Sequence, residues 1–459
     1  MPLRLCLLFA LLAACGDDGT GTLSMDAAAP DAAMPTDAGP TDAATDAAAE
    51  ADGSAPDAFV ADGGASIIDR LLEQLMDPTA SADDAAALVR GGAWTHGWPV
   101  REAGRWLFVT RQTDVTAWVG DANGWVTDAN PTRTDGSGTL RYALVETDAD
   151  PAGSKYKWFA PVDVYAVPLE ATAYGYDEFG EHGWVAPPTD APYFERFPDL
   201  TTSALPTPRT VRARVPAGGP DAASRVLLLH DGQNVFDPDA VWGGWRVDEA
   251  LTGEFAGVLA VSVDNAPDRM NAYTHTTDTI GGSTVGGAAA DYLALLEDEV
   301  LPFVRTRYGV AAAGDSLMVA GSSLGGLVSL YIGNARPTLA GCIGAMSSTL
   351  GWGAFVADGS EALITRFTER PSYAIYLDSG GNVSGGCVDT DGDGVDEDSD
   401  DSDNYCTTLQ LRDHLLGLGA VSGTDLVHWW EPGAPHNEAA WRDRVPRMLE
   451  ACAAMGWAR

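Results

Sequence analysis

The chain has 459 residues, enough for more than one domain, and carries 66 acidic against 27 basic side chains, a formal net charge of −39. That balance excludes nucleic acid and other polyanions as partners, because such surfaces need clustered Lys and Arg to displace counterions. Six cysteines, four of them beyond residue 15, suit an exported chain with two disulfides.

Taken in chain order, residues 1–14 open with Met1-Pro-Leu-Arg4 and continue as an apolar run, a signal too short to span a bilayer. The run ends Leu12-Ala13-Ala14-Cys15, which resembles a bacterial lipobox. Cleavage before Cys15 leaves it as the lipid-modified N-terminus, so the expected location is the bacterial cell envelope, anchored on the periplasmic or outer side. Residues 15–64 are mostly Ala, Asp, Pro, Thr and Gly with no basic residue. They have too little apolar surface to offset ordering entropy, which predicts a disordered tether. Residues 65–186 form a second module. A helix is predicted over Ile67–Met76, then strands over Trp106–Thr110, Val115–Val119, Leu140–Glu146 and Lys155–Phe159, separated by Gly/Asn/Asp turns. This describes a small all-β sandwich. The run Trp118-Val-Gly-Asp-Ala-Asn-Gly-Trp125 resembles the start of early-set, carbohydrate-binding-module-like domains, with Tyr176–Glu181 as their closing segment. Its tryptophans either fill the sandwich core or stack on sugar rings. The Pro-rich stretch 187–208 reads as a linker to an α/β region over 209–459.

Within that region Ser316–Ala320 is an apolar strand, and Leu324 onward has helical spacing. Gly321-Ser322-Ser323-Leu324-Gly325 between them is the pattern of a nucleophile elbow, which pushes the Ser323 hydroxyl out above the sheet. The strand Arg225–His230 ends in His230-Asp231-Gly232-Gln233, suited to an oxyanion loop. There the N–H of Gly232 or Gln233 joins that of Leu324. His436 follows the last predicted strand in a Pro/Gly loop and is the expected base. His414 falls in a predicted helix and His428 in a strand, so both read as structural. The acid has two candidates. Asp378 ends the strand Ser372–Asp378 and is taken as the triad acid; Asp403, beyond an acidic insert, reaches the same site if the insert folds out.

These motifs, with Trp242–Glu249, Asp264–Tyr273 and Gly433–Trp441, resemble the esterase family of the α/β-hydrolase superfamily, the group containing esterase D-like, feruloyl and enterochelin esterases. The resemblance covers about residues 200–459. It implies an α/β-hydrolase sheet, a Ser-His-acid triad and cleavage of a carboxylic ester, either a small molecule or one linked to a glycan. No catalytic cofactor is implied. A rival reading is a non-catalytic surface protein that binds carbohydrate or calcium on the same scaffold.

The insert 387–406 is a second signal. Asp389, Asp391, Asp393, Glu397 and Asp400, with Gly394 at the sixth loop position, resemble an oxygen-ligated Ca²⁺ loop of EF-hand-like spacing, with a structural role. Cys387 and Cys406 bracket it, predicting one disulfide; Cys342 and Cys452 form the other.

Overall fold

The structure, a computed structural model, describes residues 66–354, 361–381, 386–396 and 403–457. The export signal, Cys15 and the tether, together with Glu397 and Asp400, lie outside these residues. No helix among the described residues is long and apolar enough to cross a membrane.

The chain enters through α1 (Ile67–Met76), capped by the Ser66 hydroxyl, and α2 (Ala82–Thr95), opened by a reciprocal Ser81–Asp84 capping box. Nine strands follow: β1 (Val100–Glu102), β2 (Arg105–Thr110), β3 (Ala117–Gly120), β4 (Arg133–Thr134), β5 (Arg141–Glu146), β6 (Lys155–Ala160), β7 (Val164–Ala166), β8 (Ala173–Asp177) and β9 (Gly180–Trp184). A small antiparallel sheet runs in the order β1-β2-β5-β4. The period-2 alternation of β2 decides what it separates. Leu107 and Val109 pack with Ile68, Leu75 and Val89 of the two helices, whereas Trp106 and Phe108 face Trp118, Tyr156 and Trp158 of β3 and β6. Each buried aromatic removes roughly 150–250 Å² from water, about 4–6 kcal/mol before entropic losses. Trp118 is fully buried against the Phe108 and Tyr156 rings. It is core and takes no part in a sugar platform. Trp125 sits at the rim, its indole N–H bonded to Asp121 at 2.9 Å.

The 187–208 stretch, read from sequence as a linker, contains β10 (Tyr193–Leu200). This strand pairs antiparallel with β11 (Arg209–Val215) and, at two positions, with β8. Pro198 sits where the register shifts between Phe197 and Leu200, a place where a strand tolerates a residue without an N–H. The sheet is therefore continuous: the antiparallel strands β8, β9, β6 and β3 extend the edge of the larger sheet beyond β10.

The remaining elements are β12 (Arg225–His230), β13 (Val258–Val263), a hairpin of β14 (Thr277–Ile280) and β15 (Ser283–Gly286), α3 (Ala289–Leu295), α4 (Leu301–Tyr308), β16 (Gly314–Ser322), α5 (Leu324–Ala335), β17 (Ala340–Met346), β18 (Ala374–Ser379), α6 (Tyr405–Gly417), β19 (Leu426–Trp430) and α7 (Glu438–Ala454). Six strands are parallel, in the order β13-β12-β16-β17-β18-β19, with β11 antiparallel beside β13. Helices cover both faces, which is why the central strands β12 and β13 are mostly apolar and buried throughout. Along β12, Val226 and Leu228 join the core that contains Leu327 and Leu330 of α5. Leu227 and Leu229 join the opposite core with Val445, Met448 and Leu449 of α7. A disulfide ties Cys342 of β17 to Cys452 of α7, and a second joins Cys387 to Cys406 at the start of α6. This is an α/β-hydrolase sheet, and its functional loops gather at the carboxyl ends of the parallel strands.

Candidate active site

At the end of β16 the chain makes a turn that only small residues permit. A side-chain carbon on Gly321 would lie 2.5 Å from the backbone of Gly325, and one on Gly326 would meet the Ser348 hydroxyl. Between them Ser323 adopts φ 54° and ψ −123°, a conformation that L-residues rarely hold. Its backbone is held from both sides, its N–H donating to Met346 O at 3.0 Å and its carbonyl accepting from Thr349 N–H at 3.1 Å. Among the described residues the Ser323 hydroxyl meets Thr349 Oγ1 at 3.2 Å. Leu324 begins α5, so its N–H has no carbonyl partner within the helix and lies at the positive end of the helix dipole.

The loop after β12 comes up against this turn. A side-chain carbon on Gly325 would lie 3.3 Å from Asp231 Oδ2 and 3.5 Å from His230 Cβ, so the elbow and the His230–Gln233 loop touch. Asp231 sits at φ 57° and is gripped by Arg269, whose Nε and Nη2 donate to it at 2.7 and 2.8 Å. Burial alone would raise this carboxyl, but the guanidinium outweighs it and keeps the acid below its usual range. Gly232 and Gln233 open a short 3₁₀ turn, and Gln233 Oε1 accepts from Asn265 N–H at 3.0 Å. Glycine is needed at 232, where a side-chain carbon would fall 2.6 Å from Asp264 Oδ1. His230 plays no proton-transfer part: its ring nitrogens meet Tyr292 at 2.9 Å and Ser329 at 3.1 Å, and burial pushes it down to about 4.

His436 lies in the loop after β19, and its Nδ1 is 2.7 Å from Asp403 Oδ1. A carboxylate only accepts, so Nδ1 donates in this contact and Nε2 is the ring nitrogen it leaves unengaged by Asp403. Trp441 packs edge-on against the imidazole, ring centroids 5.0 Å apart. Asp403 is 1% exposed, and its other oxygen is held by the Ser347 hydroxyl at 2.6 Å, the Gly380 N–H and both terminal nitrogens of Arg444 at 3.3 Å. The expectation that Asp378 orients His436 is corrected here. Asp378 is fully buried, accepts from the Tyr376 hydroxyl at 2.9 Å and lies 3.4 Å from Arg444. It lies one residue before the end of β18, buried in the protein, whereas Asp403 returns after the insert to the place beside the histidine. Asn234 and Glu438, the latter buried two residues after His436, link the two loops at 3.3 Å.

Ser347, Thr349 and Arg444 were not singled out from sequence. The only signal for the first two is a polar triplet, Ser347-Ser348-Thr349, closing an apolar strand. Arg444 reads as an ordinary helical arginine until its 2% exposure is known.

In the insert, the carboxylates of Asp389, Asp391 and Asp393 bring oxygens within 4.8 Å of one another. Gly392 and Gly394 take φ of 81° and 88°, and the Asp389 oxygens accept from their N–H groups at 2.6 and 3.0 Å. The loop thus curls around its own acidic side chains.

Residues 202–453 match the protein family described as "Putative esterase". No curated protein sequence matches the chain. Among solved structures, an IroE-like serine hydrolase from Shewanella oneidensis is similar at 19% identity, covering 56% of this chain and 80% of its own, with a TM-score of 0.43. The enterobactin esterase from Shigella flexneri aligns at 15% identity over 79% of this chain and 97% of its own, TM-score 0.41. A siderophore hydrolase from Aspergillus nidulans aligns at 16% identity over 56% and 92%, TM-score 0.39. With more than half of its length inside the family match and an α/β-hydrolase sheet beneath it, this chain belongs to the esterase family and is a serine hydrolase of carboxylic esters.

Proposed function

We propose that the chain is an exported, lipid-anchored esterase that works through Ser323, His436 and Asp403. The observation that carries this reading is the 2.7 Å contact between His436 Nδ1 and the buried Asp403, in a chain whose elbow glycines frame Ser323. His436 Nε2 takes the proton of the Ser323 hydroxyl as its oxygen attacks the ester carbonyl. The imidazolium so formed is stabilised by Asp403. The tetrahedral oxyanion is held by the N–H of Leu324 and that of Gly232 or Gln233. Collapse passes the proton from Nε2 to the departing alcohol, leaving an acyl-serine. Water, activated by the same imidazole, then releases the acid.

The export signal and Cys15 support attachment to the cell envelope through lipid. Calcium is the ion that best fits the Asp389–Asp391–Asp393 loop, because hard oxygen ligands at this spacing suit it and the unbalanced carboxylates otherwise repel. It would staple the segment that delivers Asp403. If so, added calcium raises the melting temperature and a chelator lowers it; a melting curve indifferent to both contradicts the assignment.

The test of the catalytic reading is a panel of p-nitrophenyl esters. Ser323→Ala should lower kcat by roughly four or more powers of ten with the fold intact, and Ser322→Ala far less. Unchanged turnover in Ser323→Ala would remove the mechanism.

A further inference from the structure

Behind the His436–Asp403 pair lies a second buried carboxylate that the proposed mechanism leaves idle. Asp378 Oδ2 accepts from Tyr376, while Oδ1 has no hydrogen-bond partner among the described residues and faces Arg444 Nη1 at 3.4 Å. The same guanidinium contacts Asp403 Oδ2 through both terminal nitrogens at 3.3 Å and Ser347 Oγ at 2.9 Å. Ser347 donates its own hydroxyl proton to Asp403 and accepts from Trp441 Nε1 at 3.1 Å. All four of Asp378, Asp403, Arg444 and Ser347 are at most 2% exposed. One arginine thus stands between two buried acids, on the side of Asp403 turned away from the histidine.

Such an arrangement is costly to bury and strongly coupled, since removing one partner strands a charge. With both acids ionised and Arg444 cationic, the group carries one net negative charge. When His436 takes the Ser323 proton, the group becomes neutral. When ionised, Asp378 supplies one of the two negative charges set against the single positive charge of Arg444, whose guanidinium lies between the two carboxyl groups.

We propose that Asp378 and Arg444 are positioning residues for ester hydrolysis: Asp378 aligns the guanidinium, and Arg444 fixes Asp403 Oδ2 so that Oδ1 stays on His436. This rests on the Ser323–His436–Asp403 reading. The groups facing Asp378 are Tyr376 from its own strand, Arg444 from α7 and Asp403 from the loop before α6, with Arg447 acting on Tyr376 from the next turn of α7. His436 is faced by Asp403, Trp441 and, at longer range, Glu438.

The experiment is steady-state kinetics of the full-length protein on p-nitrophenyl butyrate from pH 5 to 9. It compares Asp378→Asn, Arg444→Lys, Arg444→Met, the Asp378→Asn/Arg444→Met double variant and Asp403→Asn. Outer-shell partners of this kind typically change activity by about 10–100-fold. Asp378→Asn should lower kcat about tenfold with KM within about twofold, and should move the acid limb of kcat/KM to lower pH, since the imidazolium loses a favourable charge. Arg444→Lys should retain more activity than Arg444→Met. In kcat the double variant should be no slower than Arg444→Met alone, because Asp378 positions Asp403 only through Arg444; its charge acts on the imidazolium separately and is read in the pH profile. An unshifted pH profile with full kcat in Asp378→Asn, or additive losses in the double variant, overturns the relay while leaving the triad standing. Wild-type turnover in Asp403→Asn overturns the triad and the relay together. If Arg444→Met fails to fold, Asp378→Asn decides alone by its kcat loss and pH shift.

Discussion

The turn that presents Ser323 is dictated by five consecutive residues and then held by the Met346 and Thr349 backbone, whereas Asp403 is placed by contacts from four separate segments. At the elbow, the close approach of Gly321 to Gly325 and the positive φ of Ser323 are properties of one short stretch between β16 and α5. At the acid, Ser347 from the end of β17, Gly380 after β18, Arg444 from α7 and the His436 loop all converge on one carboxylate. In the proposed mechanism one catalytic job is served by local steric rules at one end and by long-range assembly at the other. The two parts therefore fail differently, the elbow through backbone geometry and the acid through the loss of neighbours.

The largest expected effect probes the assembled side. Asp403→Asn should lower kcat by about four powers of ten, because the amide favours the wrong imidazole tautomer and cannot stabilise its cation. A loss under tenfold would mean that the convergence on Asp403 is merely structural. The local side is sharpened by Gly321→Ala. A methyl group 2.5 Å from the Gly325 backbone must push the turn apart. Displacing the nucleophile by even about 1 Å costs roughly a hundredfold in turnover, with about 1–3 kcal/mol of stability lost to overpacking. Wild-type kinetics in this variant would show that the elbow is less tightly built than its contacts imply.

This contrast also explains what could be read from the amino-acid sequence. The elbow, the His230–Gln233 loop and the His436 loop each announce themselves within a few residues, because their backbone needs are met by local glycines and prolines. The strands β2 and β6 were equally legible, as aromatic and apolar runs bounded by Gly/Asn/Asp turns. Asp403 was visible only as an alternative to Asp378. Spacing along the chain says nothing about which of two acids folds back beside the histidine. β10 was hidden for a related reason: prolines around it read as a linker, and only its pairing partners β11 and β8 make it a strand.

The two disulfides give a milder test of the comparison. Cys342–Cys452 spans 110 residues and staples β17 to α7, while Cys387–Cys406 closes a short loop of 19 that ends just after Asp403. Loop-closure entropy assigns the long one about 4.7 kcal/mol and the short one about 3 kcal/mol. Replacing the Cys342–Cys452 pair with Ala should chiefly lower the melting temperature. Replacing Cys387–Cys406 with Ser should chiefly lower kcat, since the acid loses its tether. Equal effects of both on both readouts would erase the distinction.

A further effect is expected on stability against pH. Burial pushes His182, His230, His275 and His428 down to about 4, from an unfolded value of 6.5. Each favours the fold above pH 6.5 and loses that contribution as pH falls through about 4. Asp378 and Asp248 are pushed up by burial to about 6 from 3.8, so their contribution is full at low pH and lost as pH rises through about 6. Four groups outweigh two, and melts should move to lower temperature between pH 7 and pH 4. A melting temperature that climbs over that interval would contradict these burials.

The central claim, that His436 held by Asp403 activates Ser323, is tested most directly by labelling with a fluorophosphonate, which reacts only with an activated serine. Peptide mass spectrometry of the labelled full-length protein should find one adduct, on Ser323, formed rapidly in the wild type and slowed by powers of ten in both His436→Ala and Asp403→Asn. An adduct on another serine, or labelling of Ser323 that neither substitution slows, would contradict it.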